Sequence, residues 1–202
     1  MKNKEVKISV VATAVALSMT TAVSVGAAVS AQESTGIPNT AMAASSTPTA
    51  DVVEENGFQF DKSTGTITDY TGNETRTLTI PSSIDGVTVT SIKAYALGSA
   101  KMKEVVIPNT IETLGFGVFQ MCSSLEKVTF ESGSKVTELK DSMFYQCTKL
   151  KEVVFPENLK SIKVLAFYKC TSLETVTLPE GFTTLYNAAF LDCTNLKTVI
   201  AG

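Results

Sequence analysis

Cys122, Cys147, Cys170 and Cys193 are the four cysteines of a 202-residue chain that has no histidine. Thiols of this kind can form disulfides, hold a soft metal or act as redox groups. The four recur at intervals of 25, 23 and 23 residues, each three residues after a phenylalanine: Phe119, Phe144, Phe167 and Phe190. Zinc-type sites bring cysteines together in closely spaced pairs, commonly with imidazole, so this spacing argues against a metal. A period near 23 instead places the same side chain at the same point of a repeated unit. Coils of such a stack lie roughly 5 Å apart, within reach of a disulfide, but side chains in one column point the same way and their Cβ atoms would have to converge. Four reduced thiols packed as small buried groups are therefore the favoured reading, with one or two disulfides as the alternative.

The repeat sets what must position those residues. A leucine or methionine opens each unit and two apolar residues follow at spacings of three and two: Met102, Val105, Ile107; Leu125, Val128, Phe130; Leu150, Val153, Phe155; Leu173, Val176, Leu178; and finally Leu196, Val199. Proline comes next at Pro81, Pro108, Pro156 and Pro179 and ends a short strand, because it lacks an N–H and fixes φ. Glu131 replaces it in one unit, where Glu131-Ser132-Gly133-Ser134 carries two extra residues and accounts for the interval of 25. Apolar pairs three apart follow: Ile111 and Leu114, Val136 and Leu139, Leu159 and Ile162, Phe182 and Leu185. That spacing predicts a short helical return. No unit can bury its apolar side alone, so stacking must supply the core.

The first unit is irregular, with Asp85-Gly86 in an enlarged return and Leu97 and Ala100 at the Phe and Cys positions. Terminal repeats depart from consensus because one face lacks a neighbour. Upstream, the alternation of Phe58 and Phe60, the turn Ser63-Thr64-Gly65 and the alternation from Thr66 to Tyr70 predict a β-hairpin cap.

These residues resemble the BspA-like class of bacterial leucine-rich repeats, with the pattern L-x-x-V-x-I-P-x-x-V-x-x-I-x-x-x-A-F-x-x-C. Leu173 to Cys193 follows it nearly position for position, Ala189-Phe190 included, and the resemblance extends over about residues 52 to 202. It implies an α/β fold: a leucine-rich repeat solenoid with a parallel β-sheet on one face and short helical returns. It also implies a secreted or cell-surface bacterial protein that binds a protein ligand, of host or envelope, in some members as an adhesin toward host matrix.

The first 31 residues carry a separate signal. Lys2, Lys4 and Lys7 precede an apolar run from Ile8 to Val29, and Val29-Ser30-Ala31 offers small residues for cleavage. The segment reads as a secretory signal peptide, with an uncleaved membrane anchor as the alternative. Residues 32–51 are rich in Ser, Thr, Ala and Pro and read as a flexible linker. The repeat domain then occupies 52–202, with the hairpin cap at 52–74 and the repeats at 75–202. Without the leader the chain keeps 14 basic and 19 acidic residues, a net charge of −5, which disfavours nucleic acid and anionic membrane.

Candidate sites come from columns of equivalent positions. One reads Lys103, Glu126, Lys151, Glu174, Lys197; the next Glu104, Lys127, Glu152, Thr175, Thr198; a third Val106, Thr129, Val154, Thr177, Ile200. Signs alternate between coils, so neighbouring strands set opposite charges side by side, which fixes register and solubility. A β-branched stripe flanked by charges suits a protein-binding surface, and Glu104, Val106, Lys127, Thr129, Glu152, Val154, Thr175 and Thr177 are the expected ligand-binding residues. Tyr145 and Tyr168 form a further in-register pair.

No metal, cofactor or catalytic group is expected. Histidine-dependent nucleophile pairs are ruled out, and Glu54-Glu55 lies at the domain edge with no converging acids. Asp61 to Asp69 has alternating oxygen-bearing residues but lacks the glycine and the terminal acid of a calcium loop, so a hairpin turn is expected there. The alternative to a binding module is a structural or self-assembling envelope element, completed by a partner at the C-terminal coil from Leu196 to Ala201.

Overall fold

Strands form where the repeat alternates. In Glu104-Val105-Val106-Ile107 and its equivalents, β-branched residues favour extended backbone, and every second side chain turns to one face. The computed structural model describes residues 51–202. The leader at 1–31 and almost all of the linker at 32–51 lie outside the described residues.

The chain opens with β1 (Val52–Glu55), β2 (Phe58–Asp61) and β3 (Thr66–Tyr70). Coil 1 holds β4 (Thr77–Thr79), β5 (Ser83–Ile84), β6 (Val87–Thr88) and β7 (Ser91–Ile92). Each later coil has a longer strand and then a shorter one. Coil 2 has β8 (Glu104–Ile107) and β9 (Thr113–Leu114), and coil 3 has β10 (Lys127–Phe130) and β11 (Glu138–Leu139). Coil 4 has β12 (Glu152–Val154) and β13 (Ser161–Ile162), coil 5 has β14 (Thr175–Leu178) and β15 (Thr184–Leu185), and β16 (Thr198–Ala201) begins coil 6.

The longer strands stack in parallel and in register: Thr77, Glu104, Lys127 and Glu152 are neighbours, as are Thr79, Val106, Thr129 and Val154. This first sheet runs β4-β8-β10-β12 and then breaks, β14 pairing among the described residues only with β16. The shorter strands build a second side, β3-β7-β9 and β11-β13-β15. The predicted cap is present as the β2–β3 hairpin with β1 added as a third antiparallel strand, and it joins the second side through the parallel β3–β7 pair. Asp85-Gly86 forms the tip of the small β5–β6 hairpin in the enlarged return.

The expected helical returns are absent: no helix occurs among the described residues. The Phe-x-x-Cys segment is a strip of turns whose N–H groups alternate in direction. Those of Tyr95, Leu97 and Ser99 donate to Phe116, Val118 and Gln120 of the next coil at 3.2, 3.1 and 2.8 Å. Those of Ala96, Gly98 and Ala100 close tight turns onto Lys93, Tyr95 and Leu97 at 3.2, 2.8 and 3.2 Å. A helix would direct every N–H along its own axis and leave the coils unconnected on this side. The alternation needs left-handed residues at a spacing of four: Tyr95 and Ser99, Gly117 and Met121, Ser142 and Gln146, Leu165 and Lys169, Ala188 and Asp192. Each non-glycine costs roughly 1–2 kcal/mol there, which the inter-coil hydrogen bonds offset. Gly117 is required for a second reason, since a Cβ there would lie 2.6 Å from the Tyr95 ring.

The core lies between the sheets and this strip. Phe119, Phe144, Phe167 and Phe190 stack with centroid separations of 5.6, 5.1 and 5.0 Å, so the ring column rises at the coil spacing.

Candidate functional site: the solvent face of the first sheet

On the longer strands Val105, Ile107, Val128, Phe130, Val176 and Leu178 point inward and are buried. The pleat therefore turns Glu104, Val106, Lys127, Thr129, Glu152, Val154, Thr175 and Thr177 outward. Glu104, Glu152, Val154, Thr175 and Thr177 are exposed, and Val106, Lys127 and Thr129 are half-exposed. The third column is thus a solvent-facing β-branched stripe, with Val154 41% exposed.

The charges beside it engage one another. Lys127 reaches Glu152 at 3.0 Å, Lys151 reaches Glu126 at 2.7 Å, and Lys197 reaches Glu174 at 2.9 Å. The Thr77 hydroxyl donates to the Glu104 carboxylate at 3.2 Å. The Lys151 ammonium beside Glu126 holds that carboxyl below its usual value. All of these groups are solvated, so the ladder adds little to stability while neutralising the flanks of the stripe.

The eight predicted residues do not all lie on one hydrogen-bonded sheet. Glu104, Val106, Lys127, Thr129, Glu152 and Val154 share the hydrogen-bonded run β8-β10-β12, whereas Thr175 and Thr177 sit on β14 across the break. Elsewhere the strand entry is tied by paired amides: Lys151 and Glu152 donate to the Glu126 carbonyl at 2.9 and 3.2 Å, and Lys197 and Thr198 donate to that of Glu174 at 2.9 and 3.4 Å. No equivalent bond joins Glu174 or Thr175 to Lys151 among the described residues. The coils still meet at the preceding corner, where Ser172 donates to the Thr148 carbonyl at 3.2 Å, and on the second side, where β13 pairs β15. The result is a one-sided notch of about 750 Å³. Its lining includes Val153 and Phe155, which are half-buried, whereas the equivalent Val128, Phe130, Val176 and Leu178 of the neighbouring coils are buried. Sequence reasoning did not find the notch, because every residue around it fits the repeat; its one sign was a second large phenylalanine, Phe155, after Phe130 in the same column.

The cysteines have a structural task. All four are free and buried. The thiols of Cys122, Cys147, Cys170 and Cys193 donate to the carbonyls of Leu97, Phe119, Phe144 and Phe167 in the preceding coil, at 3.1, 3.0, 3.2 and 2.9 Å. Burial pushes the Cys147 and Cys170 thiols up, away from the reactive thiolate. Tyr145 and Tyr168 are half-buried and pack against one another with ring centroids 4.7 Å apart and planes tilted by 32°. Asp61 serves the hairpin turn, its carboxylate accepting from the Ser63 amide at 2.9 Å and hydroxyl at 2.6 Å.

A second polar cluster sits on the shorter strands. The Glu138 carboxylate accepts from Lys140, from Lys163 at 2.8 Å and from Ser161 at 3.1 Å, and Lys163 also meets the Tyr186 hydroxyl at 3.0 Å. Partial burial pushes the Glu138 carboxyl up, but the three hydrogen bonds prevail and hold it at about 2. The sequence marked none of these residues, which come from three different coils.

A solenoid of 23-residue coils with a parallel sheet, an apolar column and a Phe-Cys column defines a leucine-rich repeat protein. A model of the BspA type leucine rich repeat region matches residues 66–197 in six copies, and the chain belongs to that family. Among solved structures it is similar to the T. pallidum leucine rich repeat protein, at 28% identity and a TM-score of 0.65, over 73% of this chain and 70% of that one. It is also similar to a leucine-rich repeat protein from Bacteroides ovatus, at 28% identity and a TM-score of 0.56, over 74% of this chain and 39% of that one. A search of curated proteins finds no match to the chain.

Proposed function

We propose that the chain is an exported, cell-surface module of a bacterium that binds a protein ligand, of host or envelope, through the solvent face of the first sheet, in an adhesive rather than a catalytic role. Its membership in a leucine-rich repeat family supports protein binding, as proteins of this fold typically bind proteins. The amino-terminal leader read in the sequence supports export. The observation that carries the reading is the stripe of Val106, Thr129, Val154 and Thr177, which stays in solvent between charges that already satisfy one another. A partner can cover such a surface without stripping water from unpaired ions.

The test is a triple variant, Val106→Glu, Val154→Glu and Thr177→Glu, applied to an immobilised panel of extracellular-matrix and bacterial envelope proteins. The expected result is lost binding with an unchanged circular dichroism spectrum. Retained binding by the folded variant removes the sheet face from the function.

A further inference from the structure

We infer that the notch between β12 and β14 is a docking site for an extended, basic segment of a partner protein, which inserts one bulky apolar side chain against Val153 and Phe155. The inference rests on the sheet-face reading and narrows it to one place and one ligand chemistry.

The first support is apolar. Val153 and Phe155 belong to core columns whose neighbouring members, Val128, Phe130, Val176 and Leu178, are buried, and here the split leaves both half-buried in the notch. A volume of about 750 Å³ is of the size that holds a few residues of a ligand. The second support is the backbone. Among the described residues β12 has no strand partner on its coil 5 side and β14 none on its coil 4 side, so each offers main-chain donors and acceptors to an extended segment.

The third support is charge, which selects the occupant. The notch is lined by Glu152, Glu157, Glu174 and Lys151, and of the three acids Glu152 is paired with Lys127 at 3.0 Å and Glu174 with Lys197 at 2.9 Å. Lys151 is drawn to Glu126 at 2.7 Å, on the side away from the break. Glu157 is exposed and has no ion-pair partner among the described residues. This one unpaired carboxylate attracts Lys or Arg beside the inserted side chain and repels an acidic segment.

The test is an NMR titration of the full chain with two probes, the amidated pentapeptides Lys-Thr-Phe-Thr-Lys and Glu-Thr-Phe-Thr-Glu. Saturable binding of the basic probe is expected, with amide shifts confined to residues 151–155 and 172–178 and an affinity ~10-fold or more above that of the acidic probe. Glu157→Lys, at an exposed and unpaired position, should remove most of that preference, and Thr177→Trp should block the notch. Equal affinity for the two probes, or binding of the basic probe indifferent to both variants, overturns the inference. Thr79→Glu, exposed on β4 of the same sheet and outside the notch, should leave the basic probe bound. If it abolishes that binding, the contact is the open face, and the notch fails while the broader sheet-face reading stands.

Discussion

The interface between coils 3 and 4 and the one between coils 4 and 5 are built from the same repeat, yet only the first is closed on all sides. At the closed interface β10 pairs β12, Lys127 and Lys151 bridge to Glu152 and Glu126, and Val128 and Phe130 are buried. At the open one β12 and β14 part, Lys151 turns back to coil 3, Glu174 turns forward to Lys197, and Val153 and Phe155 lie partly uncovered. The second side and the turn strip remain joined across the split, with Phe167 and Lys169 donating to Ala189 and Leu191 at 2.8 and 3.0 Å. The second side, phenylalanine stacking and the turn strip together hold these two coils. The first sheet is the side that is interrupted, and it is the side we propose for partner binding.

The largest effect that would sharpen this contrast is in the core. Phe130→Ala, at the closed interface, should cost ~3–4 kcal/mol, and Phe155→Ala, at the open one, roughly half as much, because its ring has lost less water. Urea unfolding of the two variants measures the difference, and equal losses would mean that the notch is closed in solution.

Next come the thiols. Cys147→Ala removes a buried sulfur and its bond to the Phe119 carbonyl and should cost ~1–2 kcal/mol. A thiol reagent should find four groups in the unfolded, unreduced protein and react slowly with the folded one. Cys193, 6% exposed where the other three are fully buried and spanning the open interface, should react first. Fewer than four thiols in the unfolded protein would restore the disulfide alternative.

A smaller effect belongs to Glu138, whose folded pKa is held at about 2 against an ordinary 4.5. A depressed carboxyl pKa contributes stability that is present above the ordinary value and is lost as pH falls from about 5 toward 2. After allowance for solvent screening the loss should be ~1 kcal/mol, and Glu138→Gln should lack it in denaturation curves taken across that range. The smallest effect is expected on the exposed ladder, where exchanging Lys151 and Glu126 should change stability by less than ~0.5 kcal/mol. A larger change would mean that the ladder, and not the turn strip, sets the register of the coils.

The repeat period, the inward and outward columns, the burial of the Phe and Cys rows and the existence of a β cap were legible because each follows from periodicity and side-chain polarity. The helical return was misread for an identifiable reason. A spacing of three between Ile111 and Leu114 suits a helical turn, but it also suits two inward positions flanking a corner, and Leu114 lies on a two-residue strand. What settles the matter is where the N–H groups of the following segment go, and left-handed backbone at residues as ordinary as Leu165 or Lys169 leaves no mark in composition.

The sequence by itself therefore determined which residues form columns and which columns face the core, because a side chain's polarity and its phase in the repeat decide that locally. Only the tertiary structure decided whether consecutive coils meet on every side. That depends on the fit of Val153, Phe155 and their neighbours across an interface, a balance of packing and hydrogen bonding between residues more than twenty positions apart. The four cysteines show both halves: their period announced the solenoid, and their position beneath the carbonyls of the preceding coil gave each thiol its partner.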